Sequence, residues 1–192
     1  GAPHVRSFKR LLASPDVTAE TPVKLGEKEI PVLDLVTGFL FHVAASIRKA
    51  TDSPKEILDV VVGIPAHAHS AQRFVTLEAF RRAGFNVIAM VNEPSAAGFE
   101  YTHRYSNLIN SRRSKVLVYD LGGGTFDASL VVADGTKHEV LASRGDNNLG
   151  GDDFDEVLVK IALEIGDFDR DSFDDAEFGQ LLLSARHVKE AL

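Results

Sequence analysis

The sequence predicts an α/β fold with mixed strand directions, its sheets flanked by helices, and three observations carry that reading. Between Val32 and Ala97, segments of helical periodicity alternate with short β-branched runs, the pattern of strands joined by crossover helices. From Val116 to Ser143, three further strands are separated only by tight turns, which implies antiparallel pairing. Two long helical segments then occupy most of the remainder.

Taken in order, Val5 to Leu12 (VRSFKRLL) mixes basic and apolar residues and meets a stop signal at Ser14-Pro15-Asp16. Thr18 to Glu29 is polar and turn-rich, with short strand pieces at Val23-Lys24-Leu25 and Glu29-Ile30. Val32, Leu35, Val36, Phe39, Leu40, Val43 and Ile47 recur at helical spacing, so an amphipathic helix spans Val32 to Ala50, ended by Asp52-Ser53-Pro54. Ile57 to Ile64 is nearly continuous in β-branched residues and predicts a strand buried on both faces, stopped by Gly63 and Pro65. A second helix runs from Ala71 to Ala83, with Gly84 suited to the residue just past its end. Asn86 to Val91 is another strand, Asn92-Glu93-Pro94-Ser95-Ala96-Ala97 starts a helix, and Arg104 to Lys115 is a polar, basic connection.

Val116 to Tyr119 reads as a buried strand that ends on Asp120, with Gly122, Gly123 and Gly124 next and a second strand from Thr125 to Val132. A third strand, His138 to Ser143, follows the turn Ala133-Asp134-Gly135. Gly145-Asp146-Asn147-Asn148-Leu149-Gly150-Gly151 is a second glycine-rich loop, opening a helix from about Asp153 to Ile165. An acidic connector, Gly166 to Asp175, leads to a last helix from about Asp174, still running at Leu192.

Composition narrows the function classes. At 192 residues with 44% hydrophobic and 26% charged residues, the chain can build a real core and reads as soluble and globular: one ordinary domain, two small ones or a piece of something larger. Its net charge of −7 argues against a general nucleic-acid binder and against an anionic membrane surface. With no cysteine there is no disulfide framework, thiolate nucleophile or Cys-based zinc site, which fits a reducing, cytoplasmic setting. No apolar run reaches membrane-span length, and Gly1-Ala2-Pro3-His4 is not a signal peptide but reads as a cloning scar or the start of a fragment.

The chemistry concentrates at the Asp120–Asp127 hairpin. Three glycines let backbone amides approach an anion, Thr125 adds a hydroxyl, and Asp120 and Asp127 add carboxylates suited to Mg²⁺ and its waters. The same glycines also suit a plain hairpin turn that needs positive φ. Gly150-Gly151 before Asp152-Asp153 looks like a helix N-terminus, able to favour an anion or simply to be capped by Asp152 or Asp153. No Walker A and no G-x-G-x-x-G occurs. Asp167, Asp169 and Asp171 have the spacing of a calcium loop, but Ser172 and Phe178 occupy the positions that need glycine and glutamate. His67 and His69 lack a third ligand and read as a solvated turn. Glu93, between a strand and Pro94, can point into a cleft or meet a helix dipole, and Lys9 alone reads as a surface lysine.

Together these segments resemble the actin-like ATPase domain of DnaK-type, seventy-kilodalton heat-shock chaperones. Ser7-Phe8-Lys9-Arg10-Leu11-Leu12, Val62-Gly63-Ile64-Pro65-Ala66 with Ser70-Ala71-Gln72-Arg73, Asn92 to Ala97, Asp120 to Asp127, and Leu149 to Asp155 match family motifs in the right order. The resemblance implies a ribonuclease H-like, actin-like fold, incomplete here, with residues 1–115 from the first lobe and its crossover helices and residues 116–192 starting the second. It implies ATP or ADP with Mg²⁺ as ligands, and ATP hydrolysis that gates the binding of unfolded polypeptides. Lys9 would approach the γ-phosphate, Glu93 would position water, and Asp120 with Asp127 would hold Mg²⁺ and its waters. Gly122, Gly123, Gly124 and Thr125 would bind phosphate oxygens beside Gly150 and Gly151, Lys189 would lie near the adenosine, and Pro65 and Arg73 would relay the nucleotide state. A J-domain protein and a nucleotide-exchange factor are the implied partners, with no nucleic acid and no membrane.

The departures set further expectations. The family's first phosphate hairpin and its later adenosine-closing glycine motif are absent, so the 192-residue chain alone is expected to bind ATP weakly or not at all and to be inactive by itself. Glu190 stands where many members carry an arginine against adenine, and His67-Ala68-His69 replaces the usual aromatic and polar residues. The short segment before Val32 points to a divergent bacterial-type relative. An actin-like filament protein that uses nucleotide as a switch, or a relative that binds ATP without turnover, is the competing reading.

Overall fold

One apolar stripe organises the first half of the chain. Val32, Leu33, Val36, Leu40 and Ala44 fall on one side of α2 (Val32–Thr51), and all are buried. They pack with Val75, Ala79 and Ala83 from α3 (Ser70–Arg82) and its C-terminal end, and with Leu58 and Phe85 at the starts of two strands. Apolar positions three and four apart produce such a stripe only in a helix, which is why the periodicity places α2 so closely. The computed structural model describes residues 5, 7–51, 57–105, 107, 114–134 and 137–192. The Ser53-Pro54 stop, the Gly135 turn and most of the Arg104–Lys115 connection lie outside them.

Three small sheets are present among the described residues. β1 (Pro22–Leu25) and β2 (Lys28–Pro31) form a hairpin whose Gly26 has φ of 63°. β3 (Leu58–Ile64) and β4 (Phe85–Asn92) pair in parallel, joined by the crossover helix α3. β5 (Lys115–Leu121), β6 (Phe126–Asp134) and β7 (Lys137–Asp146) form an antiparallel meander in that order. The mixed α/β class expected from the sequence is therefore the one observed.

Two expected burials differ from what is found. β3 is covered on one face only: Leu58, Val62 and Ile64 are buried, while Val61 on β3 and Ile88 on β4 are 58% and 66% exposed. β5 is likewise half open, with Leu117 and Tyr119 about two-thirds exposed at 68% and 67%. A continuous apolar run signals two covered faces, but the described helices supply a layer on one side of each sheet.

Helix ends explain how the site is presented. α1 (Phe8–Ala13) is a short helix entered from Ser7 in the left-handed region. The α3 N-cap is His69, whose Nδ1 accepts from the Gln72 N–H at 3.3 Å, and Gly84 with φ of 84° follows the C-terminal turn. Thus His69 is a capping residue rather than a member of a solvated turn. α4 (Glu93–Arg104) packs on the meander, where a Cβ on Gly98 would stand 3.1 Å from Val131 Cγ1. α5 (Gly151–Gly166) begins after Gly150, which occupies the N-cap with no side-chain cap, so Asp152 and Asp153 lie in the first turn instead. Asp169 caps a 3₁₀ turn at Arg170–Ser172, and α6 (Asp175–Ala191) opens with a capping box formed by Asp174 and Glu177.

Candidate functional site

The hairpin tip between β5 and β6 turns three successive carbonyls toward its neighbours. Gly122 O accepts from Gly151 N at 2.9 Å, Gly123 O from Asp152 N at 2.7 Å, and Gly124 O from Arg10 Nε at 2.6 Å. The chain has no cis peptide bond among the described residues. In a trans peptide the carbonyl and the following N–H point in opposite directions. The amides of Gly123, Gly124 and Thr125 are therefore turned away from α5 and α1, and none of the three has an acceptor among the described residues. Consecutive amides exposed on one side form a concavity suited to an anion.

Room, rather than backbone conformation, is what calls for glycine at Gly124 and Gly150, while a Cβ on Gly122 meets only ordinary contacts and one on Gly123 meets nothing within 4 Å. None of Gly122, Gly123 and Gly124 has a positive φ, so the plain-turn reading of the motif is not what the backbone shows. A Cβ on Gly124 would stand 2.6 Å from Ser7 Oγ and 3.0 Å from Arg10 Nε. A Cβ on Gly150 would stand 2.5 Å from Gly123 O and 2.6 Å from Gly124 N. The two glycine loops thus interlock backbone on backbone.

Beside the tip, Glu93, Asp120 and Asp127 line a pocket of about 170 Å³ together with Pro65, Pro94 and Tyr119. Asp120 and Asp127 are directly opposed in the β5–β6 register, a pairing of like charges that a sheet alone would disfavour. Lys9 Nζ reaches Glu93 Oε1 at 2.8 Å, joining residues 84 positions apart. Gly145, which the sequence offered only as part of a loop, faces Asp127 across β6–β7, and a Cβ there would stand 2.4 Å from Asp127 Oδ1.

Burial, and then the charges of Glu93 and Asp120, push the Asp127 carboxyl above its ordinary range, while Lys9 and His67 act in the opposite direction. Its folded-state value is thus higher than its unfolded one, and stability falls as pH rises through the window just above the ordinary value of 3.8. Asp127→Asn is accordingly expected to raise the thermal midpoint of the ligand-free protein at neutral pH while weakening cation-dependent binding. A lower midpoint in calorimetry would contradict that assignment.

Among the described residues no three His, Cys, Asp or Glu side chains converge as direct ligands of one ion. The opposed Asp120 and Asp127 carboxylates fit a Mg²⁺ held through waters and a ligand's oxygens rather than a closed protein cage.

Below the tip, ion pairs join distant segments. Ser7 Oγ donates to Asp152, and Arg10 makes a two-pronged pair with Asp153, one prong at 3.2 Å. That hydrogen bond holds Asp153 below the ordinary carboxylate range and raises Arg10. Lys189 Nζ lies 2.6 Å from Asp155 Oδ1 and donates to Gly151 O at 2.6 Å, so its ammonium sits under the second glycine loop. Glu190 pairs with Arg186 on exposed α6. The pair Pro65 and Arg73 frames a turn: Pro65 O accepts from Ala68 N at 3.0 Å, and Arg73 binds Ala68 O at 2.9 Å and Asn92 Oδ1 at 3.3 Å. Pro65 itself lines the pocket and Asn92 immediately precedes Glu93, so this turn borders the pocket directly.

Structure therefore brings Pro65, Glu93, Asp120 and Asp127 to one pocket, with Lys9 paired to Glu93 beside it, Gly122, Gly123, Gly124 and Thr125 at its adjoining tip and Gly150 and Gly151 behind. It places Lys189 beneath that junction. Sequence reasoning missed Ser7, Arg10, Asp153 and Asp155 as site-building residues. The juxtaposition of Arg10 with Lys9, and of Asp153 with the glycine pair, was the available signal.

A family model described as Hsp70 protein matches residues 16–190. The chain belongs to the Hsp70 family. Among similar proteins, the "Chaperone protein HscA homolog" of Acinetobacter baylyi is 35% identical over 198 residues, covering 97% of this chain and 32% of that protein. The HscA homolog of Pseudomonas putida is 38% identical across 87% of this chain and 27% of its own length, and that of Burkholderia ambifaria is 42% identical across 71% and 21%. This Hsp70-family chain thus spans about a third or less of the curated relatives it matches. No helix among the described residues is long and apolar enough to cross a membrane.

Proposed function

We propose that this Hsp70-family chain is part of an actin-like ATPase domain, and that the β5–β6 tip is a phosphate clamp within it. The observation that carries the reading is the set of three tip amides, Gly123, Gly124 and Thr125, turned away from α5 and lying beside a carboxylate pocket. Hydrogen-bond donors fixed in place before a ligand arrives cost no reorganisation when charge develops on it. The Thr125 hydroxyl stands at the same tip. Lys9, held by Glu93, is the cation available to stabilise charge on a transferring phosphoryl group, and Glu93 is the group placed to orient water. Asp120 and Asp127 would hold Mg²⁺ through its waters. When bound, Mg²⁺ supplies charge neutralisation on the phosphates of ATP or ADP.

The same reading divides the chain at residues 1–115 and 116–192 into pieces of two lobes. Contact of α4 with β6 and β7 supplies the mechanical link between them. The turn held by Pro65 and Arg73, one residue from Glu93, is the relay by which nucleotide state would leave the site. In the natural protein that carries this sequence, ATP turnover would gate the binding of unfolded polypeptides, in the cytoplasm, with a J-domain protein and an exchange factor as partners.

ATP turnover by that protein tests the proposal. Lys9→Ala is expected to lower the steady-state rate by about 10²–10³-fold, the usual loss for one electrostatic stabiliser of a transition state. A wild-type protein already as slow as the variant would contradict it.

A further inference from the structure

The arginine that follows Lys9 is engaged on three sides. Arg10 Nε donates to Gly124 O at 2.6 Å, Nη1 to Asp153 Oδ1 at 3.2 Å, and Nη2 to the other Asp153 oxygen. One side chain thus ties α1, the hairpin tip and the start of α5 together. Arg10 does not line the pocket formed with Glu93, Asp120 and Asp127.

The apolar packing of buried Leu12 and of Phe8 on Phe39 holds α1 to the core but is non-directional, so the clamp is what sets its orientation. The helix has six residues, no side-chain N-cap bond, and enters from Ser7 at φ 46° and ψ 39°. A helix that short has no intrinsic stability or orientation of its own. The Lys9–Glu93 pair cannot hold it, since the Lys9 side chain is 47% exposed and exposed ion pairs contribute little. The Arg10–Asp153 pair is less exposed, at 26% and 28%, and a forked guanidinium–carboxylate pair is the strong, geometrically specific kind. Asp153 lies in the first turn of α5, where the helix dipole favours a carboxylate. Ser7 on Asp152 adds a second tie between the same two elements.

We propose that Arg10 is a positioning residue, setting the direction of the phosphate-facing amide and of Lys9 without touching the reacting atoms. Its bond to Gly124 O fixes one peptide plane, and that plane fixes where the Thr125 N–H points. Its bonds to Asp153 fix α1, and α1 carries Lys9. The inference rests on the reading of the β5–β6 tip as a phosphate clamp. Lysine at this position would keep the charge, but a single ammonium cannot bind Gly124 O and both Asp153 oxygens in this fork geometry.

The test uses the natural protein with Arg10→Lys, Arg10→Ala, Asp153→Asn and the Arg10→Ala/Asp153→Asn double variant. Single-turnover ATP hydrolysis, ATP affinity and amide exchange of the nucleotide-free tip are the readouts. Arg10→Ala is expected to slow hydrolysis at saturating ATP by about 10–100-fold, the scale of a small misplacement, with a smaller loss of affinity. Arg10→Lys is expected to behave like Arg10→Ala. The double variant is expected to be little slower than Arg10→Ala, because both changes break one clamp. A plain inter-element ion pair would lower the melting temperature and leave the saturated rate unchanged, which overturns the proposal. So does an Arg10→Lys variant as fast as wild type, or single effects that multiply. Should wild type bind no ATP, the phosphate-site reading falls, and amide exchange decides the positioning claim alone. Exchange at Gly151 and Asp152, whose amides donate to the tip carbonyls of Gly122 and Gly123, about tenfold faster in Arg10→Ala supports it, and unchanged exchange overturns it.

Discussion

Gly150→Ala is expected to pry the two glycine loops apart and to destabilise the protein by about 1–3 kcal/mol, the usual cost of overpacking a closed contact. The added Cβ would lie 2.5 Å from Gly123 O, 2.6 Å from Gly123 C and 2.6 Å from Gly124 N. All three are backbone atoms, which cannot rotate aside as a side chain does. The backbone of Gly150 is extended, at φ −173° and ψ −175°, so alanine suffers no dihedral strain there and the cost is purely steric. Relief requires lengthening the bonds from Gly151 N to Gly122 O and from Asp152 N to Gly123 O, and those bonds aim the tip. Nucleotide affinity is therefore expected to fall with stability. Gly123→Ala is the control, since a Cβ there meets nothing within 4 Å. Thermal unfolding of the two variants separates a steric from a compositional effect, and equal midpoints would refute the interlock.

Lys189→Ala is expected to cost about 3–5 kcal/mol, the range for removing one partner of a buried ion pair. Asp155 is fully buried, and the Lys189 ammonium lies 2.6 Å from its Oδ1. The same ammonium holds Gly151 O, so its loss also loosens the first turn of α5. Adding Asp155→Asn is expected to recover part of the loss, because a neutral amide is less costly to bury than a carboxylate. Denaturant unfolding with and without ATP checks this. If Lys189 serves chiefly as an adenosine contact, Lys189→Ala instead leaves ligand-free stability within about 0.5 kcal/mol and weakens binding alone.

The helices were the most legible part of the fold, because each carries a periodic stripe or an end signal of its own. Val32 to Ile47 marked α2, Gly84 marked the end of α3, and Asp174 marked the start of α6. Strand positions were also readable, but not their burial. Val61 and Leu117 sit in apolar runs that signal two covered faces, and each points away from the one helix layer its sheet has. At the site, the glycines and carboxylates announced themselves because their chemistry is local to one hairpin. Arg10 with Asp153, and Ser7 with Asp152, did not: they are 143 and 145 positions apart. Lys189 was legible as a notable lysine, but its partner Asp155 depends on how α6 lies against α5, which no spacing reveals.

The central claim is that the β5–β6 tip presents its amides to a phosphate. Selective ¹⁵N labelling of glycine and threonine in the natural protein, followed by titration with Mg-ATP, tests it most directly. The amide resonances of Gly123, Gly124 and Thr125 are expected to move together and gain protection from exchange. Gly122, whose N–H already donates to Thr125 O at 2.9 Å, is expected to move least. Binding of ATP that leaves those three amides unmoved would contradict the account.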